Sequence, residues 1–268
     1  MADSFLKKPI KGLLLDVCGV LYNSGEGGGK PIDGSIDAVK RLQSSELALR
    51  FVSNESTITR QGLVSKMNKM GFEMYPQQVF TPSPAAASYL KDNGLRPHLL
   101  IHPGVAPEFK EVDQTSPNCV LIGDAMEDFS SHNMNKALQI LMQMKPPKLI
   151  TMGYGKFYME TDGLKLDVGA YAKALEYACD IQTHEVIGKP SKSFFLAAVH
   201  DMNLQPDQVA MIGDDILSDI GGSQRAGLQG IQVKTGKWRE EWSNHPTVTP
   251  NAIVENLADA VNQLLRLH

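Results

Sequence analysis

The chain has 268 residues, 42% of them hydrophobic, with 26 basic against 30 acidic side chains and a net charge of −4. Its length suits one large α/β unit or a core carrying an inserted subdomain, and its charge balance offers no basic surface for nucleic acid or an anionic membrane. No window approaches the roughly 20 consecutive apolar residues of a membrane span.

Met1 to Ile10 contains Lys7, Lys8 and Pro9 but no apolar run of signal-peptide length. The three cysteines, Cys18, Cys119 and Cys179, are an odd number without metal-site spacing. They fit a reduced intracellular compartment, so a cytosolic protein is expected.

The first strand is expected over Gly12–Val17, where an apolar run ends in Asp16, with Cys18 two residues on. In an open α/β sheet, ligands bind in the crevice beyond the carboxyl ends of the strands, so Asp16 stands where a nucleophile or metal ligand is useful. Gly25-Glu26-Gly27-Gly28-Gly29-Lys30 invites a phosphate-loop reading. That pattern needs Gly where Ser24 stands and Ser or Thr where Pro31 stands. A flexible flap is the better expectation, since glycine releases the backbone. A second strand, Leu47–Ser53, leads into Asn54 and Glu55. Thr59 to Met70 places Leu63, Val64, Met67 and Met70 on one helical face, with Gly71 as the residue just past the end.

Further strands are expected over Leu99–His102, Cys119–Gly123 and Lys148–Met152. Gly153-Tyr154-Gly155 lacks the third glycine of a dinucleotide fingerprint. Gly188-Lys189-Pro190 precedes a helix that Ser191 can cap, running through Phe194, Phe195, Ala198 and Val199. A strand over Val209–Asp214 ends in an acidic cluster of Asp214, Asp215 and Asp219, and Gly230–Lys234 reads as the next strand. Trp238 and Trp242 lie in a charged segment, where packing or a subunit contact is expected. Leu257 to Leu267 closes the chain with an amphipathic helix. Such alternation argues for a mainly parallel, helix-covered sheet. The polar residues that follow strands lie before about Asn54 and after about Lys189, whereas the middle supplies none. A discontinuous core, residues 1–82 and 187–268, with a continuous α/β insertion over 83–186, accounts for this.

Four segments belong together: Asp16 with Cys18, Ser53-Asn54-Glu55, Gly188-Lys189-Pro190, and Asp214-Asp215 with Asp219. Taken singly, each has an ordinary explanation as a turn, a cap or a solvated acidic loop. In this order, each beside a strand end or helix start, they resemble the four motifs of the haloacid dehalogenase (HAD) phosphatases. One departure stands out: the second aspartate usual in the first motif is Cys18 here. Leu121-Ile122-Gly123-Asp124, Phe129-Ser130, Asn133–Ala137, Thr161-Asp162-Gly163-Leu164 and Gly169–Ala178 resemble the large α/β, C2-type, cap of one HAD subclass. The fold this implies is α/β: a Rossmann-like parallel-sheet core with an inserted C2-type cap. The first motif, Ser53-Asn54-Glu55-Ser56, Leu99–His102 and Leu166-Asp167-Val168-Gly169 look closest to the branch that cleaves inorganic pyrophosphate and the phosphorus–nitrogen bonds of phospholysine, phosphohistidine and imidodiphosphate. That branch implies Mg²⁺ dependence, a homodimer, and cytoplasmic and nuclear localisation. Phosphorylated protein side chains are a further substrate class it raises.

The chemistry suits these residue types. A carboxylate such as Asp16 can attack phosphorus and divide one displacement into two easier ones. Mg²⁺, which prefers oxygen ligands, then offsets the repulsion between the anions. Asp16 and Asp214 can supply carboxylates, and the resemblance adds the backbone carbonyl of Cys18 as a third ligand. Lys189 contributes positive charge beside nucleophile and phosphate. The phosphate site expected is Asp16, Val17, Cys18, Ser53, Asn54 and Lys189, with Asp215 and Asp219 orienting Lys189 or water. His102 and His184 are weighed as groups that reach the site from the cap. Cys18 as nucleophile is disfavoured, since no arginine stands near it.

In the resemblance, the missing aspartate is the proton-transfer group. A thiol, with its reference pKa of about 8.5, replaces it poorly. Substrates whose leaving group needs little protonation, such as pyrophosphate or a phosphoramidate, are therefore favoured. Two other readings stay open: a small-molecule phosphomonoesterase of the pyridoxal phosphate phosphatase type, and a catalytically weak phosphate-binding regulatory protein. Water activation is left unassigned, with Glu55 and Asp215 as candidates.

Overall fold

The computed structural model describes Leu6, residues 8–160 and residues 163–266. Lys7, Thr161, Asp162 and Leu267 of the sequence reading lie outside the described residues. In chain order the elements are β1 (Gly12–Leu15), β2 (Tyr22–Asn23), β3 (Lys30–Pro31), α1 (Ser35–Gln43), β4 (Ala48–Val52), α2 (Arg60–Lys69), β5 (Val79–Phe80), α3 (Pro82–Asp92), β6 (Pro97–Leu100), β7 (Cys119–Ile122), α4 (Ser131–Gln143), β8 (Leu149–Met152), β9 (Phe157–Glu160), β10 (Gly163–Leu166), α5 (Val168–Cys179), β11 (Glu185–Ile187), α6 (Lys192–Asp201), β12 (Val209–Gly213), α7 (Gly222–Arg225), β13 (Gln229–Val233), β14 (Ala252–Val254) and α8 (Leu257–Leu264).

Six parallel strands form the larger sheet in the order β14-β13-β12-β1-β4-β5. A sheet covered by helices on both faces needs strands that are apolar throughout. Leu13 and Leu15 pack into one cluster with Phe51, Ile212 and residues of α1, α2 and α8, while Leu14 points to the opposite cluster with Val52, Met211 and Phe195 of α6. Leu13, Leu14, Leu15 and Phe51 are completely buried, each contributing ~1.5–3 kcal/mol.

The smaller sheet is parallel too, in the order β11-β8-β7-β6. Beside it, β9 and β10 form an antiparallel pair. α3 packs through Ala86 and Leu90 against Leu121 and Ile150 of this sheet, and α5 covers its other face through Ala172 and Leu175. This unit is the cap over the larger sheet. Among the described residues, no helix is long and apolar enough to cross a membrane.

Differences from the sequence reading are local. Strands β1, β4 and β12 stop one or two residues earlier than expected, and β6 starts and ends two residues earlier. Asp16 accepts from the N–H of its own neighbour Val17. Thr59 sits just before α2 and accepts from the Gly62 N–H at 3.0 Å, and Gly71 follows its end at φ 98°. Ser191 stands at the start of α6 but its hydroxyl pairs with that of Ser193 rather than with a backbone N–H. The Gly25–Lys30 segment folds as a short 3₁₀ turn held between β2 and β3. The short strands β2, β3, β5, β9, β10, β11 and β14 were not expected, because runs of two to four residues are too short for a pattern to show.

Candidate active site

Register decides what meets at the carboxyl rim of the larger sheet. Leu15 pairs with Ile212 on one side and Phe51 on the other. The residues just beyond these three central strands are therefore Asp16, Ser53 and Asp214. The N–H of Asp16 donates to the Ile212 carbonyl at 2.9 Å and that of Ser53 to the Phe80 carbonyl at 3.0 Å, which fixes both backbones to the sheet. All three side chains are buried, at the point where the strand order reverses, the expected place for a ligand in such a sheet.

Lys189 enters from the loop after β11. Its ammonium lies 2.5 Å from Asp16 Oδ1 and 2.8 Å from Asp219 Oδ1. A buried ammonium survives only where such partners replace water; here the pair of carboxylates raises its pKa against the effect of burial. Asn54 holds the loop in place. Its Oδ1 accepts from the Lys189 N–H at 2.8 Å and its amide donates to the Lys189 carbonyl at 2.9 Å.

The carboxyl group of Asp214 has unequal oxygens. Oδ2 accepts from the Lys237 N–H at 2.9 Å, whereas Oδ1 is buried without a hydrogen-bond partner. Two glycines make room beside it. A Cβ at Gly19 or at Gly236 would lie 2.1 Å or 2.0 Å from Oδ2, and both residues have positive φ, 85° and 62°. Burial first, then Asp219 and Asp215, push the Asp214 pKa up to about 7. Asp219 is likewise pushed to about 7 by burial and Asp16. Carboxylate oxygens of Asp16, Asp214 and Asp219 fall within 4.8 Å of one another. Since Asp219 is committed to Lys189, the orphaned oxygen of Asp214 together with Asp16 is the part of this cluster that fits a hard divalent cation.

Cys18 lies at the edge of the same site. Burial pushes its thiol up to about 11, so it stays neutral near pH 7. Its Sγ is 3.6 Å from Ser24 Oγ, and that hydroxyl donates to the Met159 carbonyl of the cap at 3.0 Å. A cavity of about 240 Å³ is lined by Asp16, Ser53, Lys189 and Asp214 of the core and by Asp124, Tyr158 and Asp167 of the cap.

Comparison with known proteins bears on this arrangement. The haloacid dehalogenase-like hydrolase model matches residues 13–115, and a HAD-hydrolase-like model matches 186–260. The phospholysine phosphohistidine inorganic pyrophosphate phosphatase of Danio rerio is 53% identical over 98% of this chain and 98% of its own. The chain belongs to the haloacid dehalogenase-like hydrolases. The Homo sapiens protein of the same name is 51% identical over 96% of this chain and 95% of its own length. A solved 4-nitrophenylphosphatase of Thermotoga maritima superposes with a TM-score of 0.83, covering 94% of this chain and 97% of its own at 22% identity, a likeness of fold. The chain is thus a HAD hydrolase with a Rossmann-like core and an α/β cap, most similar among these to the phospholysine phosphohistidine inorganic pyrophosphate phosphatases.

Within this HAD fold, Asp16, Val17, Cys18, Ser53, Asn54, Lys189, Asp214, Asp215 and Asp219 gather at one rim. Their parts differ. Asn54 secures the Lys189 loop, Asp219 pairs with Lys189, and Asp215 accepts from Lys237 Nζ at 3.0 Å. His102 and His184 do not line the cavity, and His102 accepts from the Gly104 N–H in its own turn. Trp238 and Trp242 pack edge to face, 6.4 Å apart. Sequence reasoning missed Lys237 and Asp167. Lys237 was within reach, because it lies four residues past the end of β13, at the rim that already carries Asp16 and Asp214. Asp167 stands in the Leu166-Asp167-Val168-Gly169 segment that carries the resemblance, but no role was read for it, since it belongs to the cap and reaches the core only through folding.

Proposed function

We propose that the chain is a Mg²⁺-dependent phosphatase that hydrolyses inorganic pyrophosphate and phosphorus–nitrogen bonds through an aspartyl phosphate on Asp16. The observation that carries the reading is the placement of Asp16 between the Lys189 ammonium, 2.5 Å away, and the unpartnered oxygen of Asp214, on the floor of a capped cavity. Mg²⁺ held by Asp16, Asp214 and the Cys18 carbonyl supplies, when bound, the positive charge that lets a carboxylate meet a phosphoryl anion.

The remaining work belongs to the chain's own groups. Asp16 Oδ2, opposite the oxygen engaged by Val17 and Lys189, is the attacking atom. Ser53 Oγ and the backbone N–H groups after β1 bind phosphoryl oxygens. Lys189 neutralises charge that builds on the transferred group, and its fixed position means little reorganisation is needed as that charge grows. Asp219 and Asn54 keep it there. Cys18 has no carboxylate to protonate a leaving alkoxide, which favours phosphate and amine leaving groups. A homodimer in the cytosol belongs to the same reading, by likeness to the family, and light scattering tests it.

The deciding experiment is turnover of pyrophosphate, imidodiphosphate, phospholysine, phosphohistidine and alkyl phosphates, with Mg²⁺ and with chelator, for the wild type and Asp16→Asn. The expected result is Mg²⁺-dependent release of phosphate from the first four, abolished in the variant. Asp16-dependent turnover of alkyl monoesters alone would favour a small-molecule phosphomonoesterase, and no turnover at all a binding protein.

A further inference from the structure

Hydrolysis of an aspartyl phosphate needs a group that takes a proton from the attacking water, a contribution commonly worth ~10²–10⁴ in rate. Cys18 is unsuited, as its thiol is raised to about 11. Carboxylates on the cavity wall, beyond those of the phosphate site itself, include Glu55, Asp124, Glu160, Asp167 and Asp215. Both oxygens of Asp215 are engaged, Oδ1 by the N–H groups of Leu217 and Ser218 and Oδ2 by Lys237. Glu55 turns back to its own loop, where Oε1 accepts from the Thr57 N–H and hydroxyl at 2.7 and 2.5 Å.

Asp167 is different. Its Oδ1 accepts from the Val168 N–H at 2.7 Å and caps α5, while Oδ2 has no hydrogen-bond partner among the described residues. The group is held stiffly. The Gly169 N–H donates to the Gly155 carbonyl at 2.9 Å, and a side chain at Gly155 would come within 2.0 Å of Asp167 Oδ2. Asp167 lines the same cavity as Lys189, Lys237 and Asp215, whose charges act on it, whereas Asp124, which also has one oxygen engaged, by the Met126 N–H, is influenced by Asp167, Glu55 and His102. Burial raises the Asp167 carboxyl above the usual range, toward the balance between acid and base that proton transfer requires.

We infer that Asp167 of the cap performs the proton transfers for which residue 18 has no carboxylate, a role that rests on the aspartyl-phosphate reading above. In the first step Asp16 Oδ2 forms a bond to phosphorus as the bond to the leaving group breaks. The departing electron pair stays on the leaving nitrogen or oxygen, which takes the Asp167 proton; where it needs none, that proton passes to solvent, so Asp167 is a carboxylate before the second step. In the second step water oxygen attacks phosphorus, its proton passes to the Asp167 carboxylate, and the P–Oδ2 bond breaks with its electron pair returning to Asp16. Inorganic phosphate leaves and Asp167 is reloaded. The catalytic site is therefore complete only when the cap is in place.

Asp167→Asn is the direct test, because asparagine caps a helix as well as aspartate does but cannot accept the proton. With full-length protein, Mg²⁺ and ³²P-labelled pyrophosphate, acid-quenched samples report label covalently held on the protein. The expected result is a fall in kcat of ~10²–10³, KM unchanged or lower, and labelled enzyme accumulating toward one per chain at steady state. Adding Cys18→Asp to that variant should restore kcat at least ~10-fold, by returning a carboxylate to the site. Turnover within threefold of wild type, or a loss without accumulated label, would overturn the assignment. So would equal accumulation in Asp124→Asn or Glu160→Gln. A wild type that never carries label on Asp16 would overturn the aspartyl-phosphate reading and this role with it.

Discussion

The ammonium of Lys189 lies 2.5 Å from Oδ1 of Asp16, although 173 positions separate the two residues in the chain. Neither group would be ionised alone at this depth. Together with Asp219 they form a buried triad in which one cation serves two carboxylates. Removing one member of such a set leaves uncompensated charge.

Lys189→Met keeps the volume and deletes the charge. Its expected effect is a loss of roughly 10²–10³ in kcat and of about 3–5 kcal/mol in stability, read by turnover and urea unfolding. Adding Asp219→Asn should recover part of the stability and none of the activity. Full recovery of both would show that Lys189 acts only as a structural counterion.

Gly19→Ala tests whether Asp214 is a metal ligand. The new methyl would meet Asp214 Oδ2 at 2.1 Å, on a backbone with φ 85°. Tilting that carboxyl should raise the Mg²⁺ concentration for half-maximal activity roughly 10–100-fold, the range seen when the groups that orient ligands are disturbed. A Mg²⁺ titration followed by turnover and by calorimetry measures it. An unchanged titration curve would remove Asp214 from the ligand set.

Cys18→Asp in the otherwise wild-type chain should raise hydrolysis of simple alkyl phosphates more than that of pyrophosphate or imidodiphosphate. An alkoxide is the leaving group most in need of a proton, and a carboxyl at residue 18 can supply one. Relative kcat/KM across the three substrates reads the effect. Equal changes for all three would show that residue 18 does not select by leaving group.

Stability at acid pH should depend on Glu176, a buried carboxylate on α5 of the cap. It accepts from the Tyr154 hydroxyl, the Thr183 hydroxyl and N–H, and Lys173. These partners overcome burial and hold its pKa down to about 2, against 4.5 ordinarily. A folded-state pKa below the unfolded one means stability that is complete above about pH 4.5 and lost as pH falls toward 2. Glu176→Gln should therefore cost about 1–3 kcal/mol near pH 7. The gap to wild type should narrow as pH falls through that window. Urea midpoints at pH 7, 4 and 3 measure it, and a gap that stays constant would show that the ionised form is not what Glu176 contributes.

Much of the core could be read along the chain. Leu13-Leu14-Leu15 followed by Asp16, and Met211-Ile212-Gly213 followed by Asp214, announce buried parallel strands that end in carboxylates, because a strand covered on both faces is apolar to its last residue. Ser53 follows β4 by the same logic. Edge strands such as β14 and half-buried ones such as β9 are only three and four residues long, and they emerge only when neighbours supply their hydrogen bonds.

What lay beyond the linear chain is how these groups are divided between tasks. Asp16, Cys18, Ser53, Lys189 and Asp214 are identifiable as chemistry from residue type and order, since local pattern dictates where strands stop. Which carboxylate pairs with Lys189, that Asn54 grips its backbone, that Lys237 binds Asp214 and Asp215, and that Asp167 looks down from the cap are all contacts across long separations. Such contacts depend on sheet register and on the docking of one unit over another, and no local propensity encodes either. Asp215 and Asp219 show it most plainly: four residues apart and identical in type, they face different lysines, Asp215 the ammonium of Lys237 and Asp219 that of Lys189.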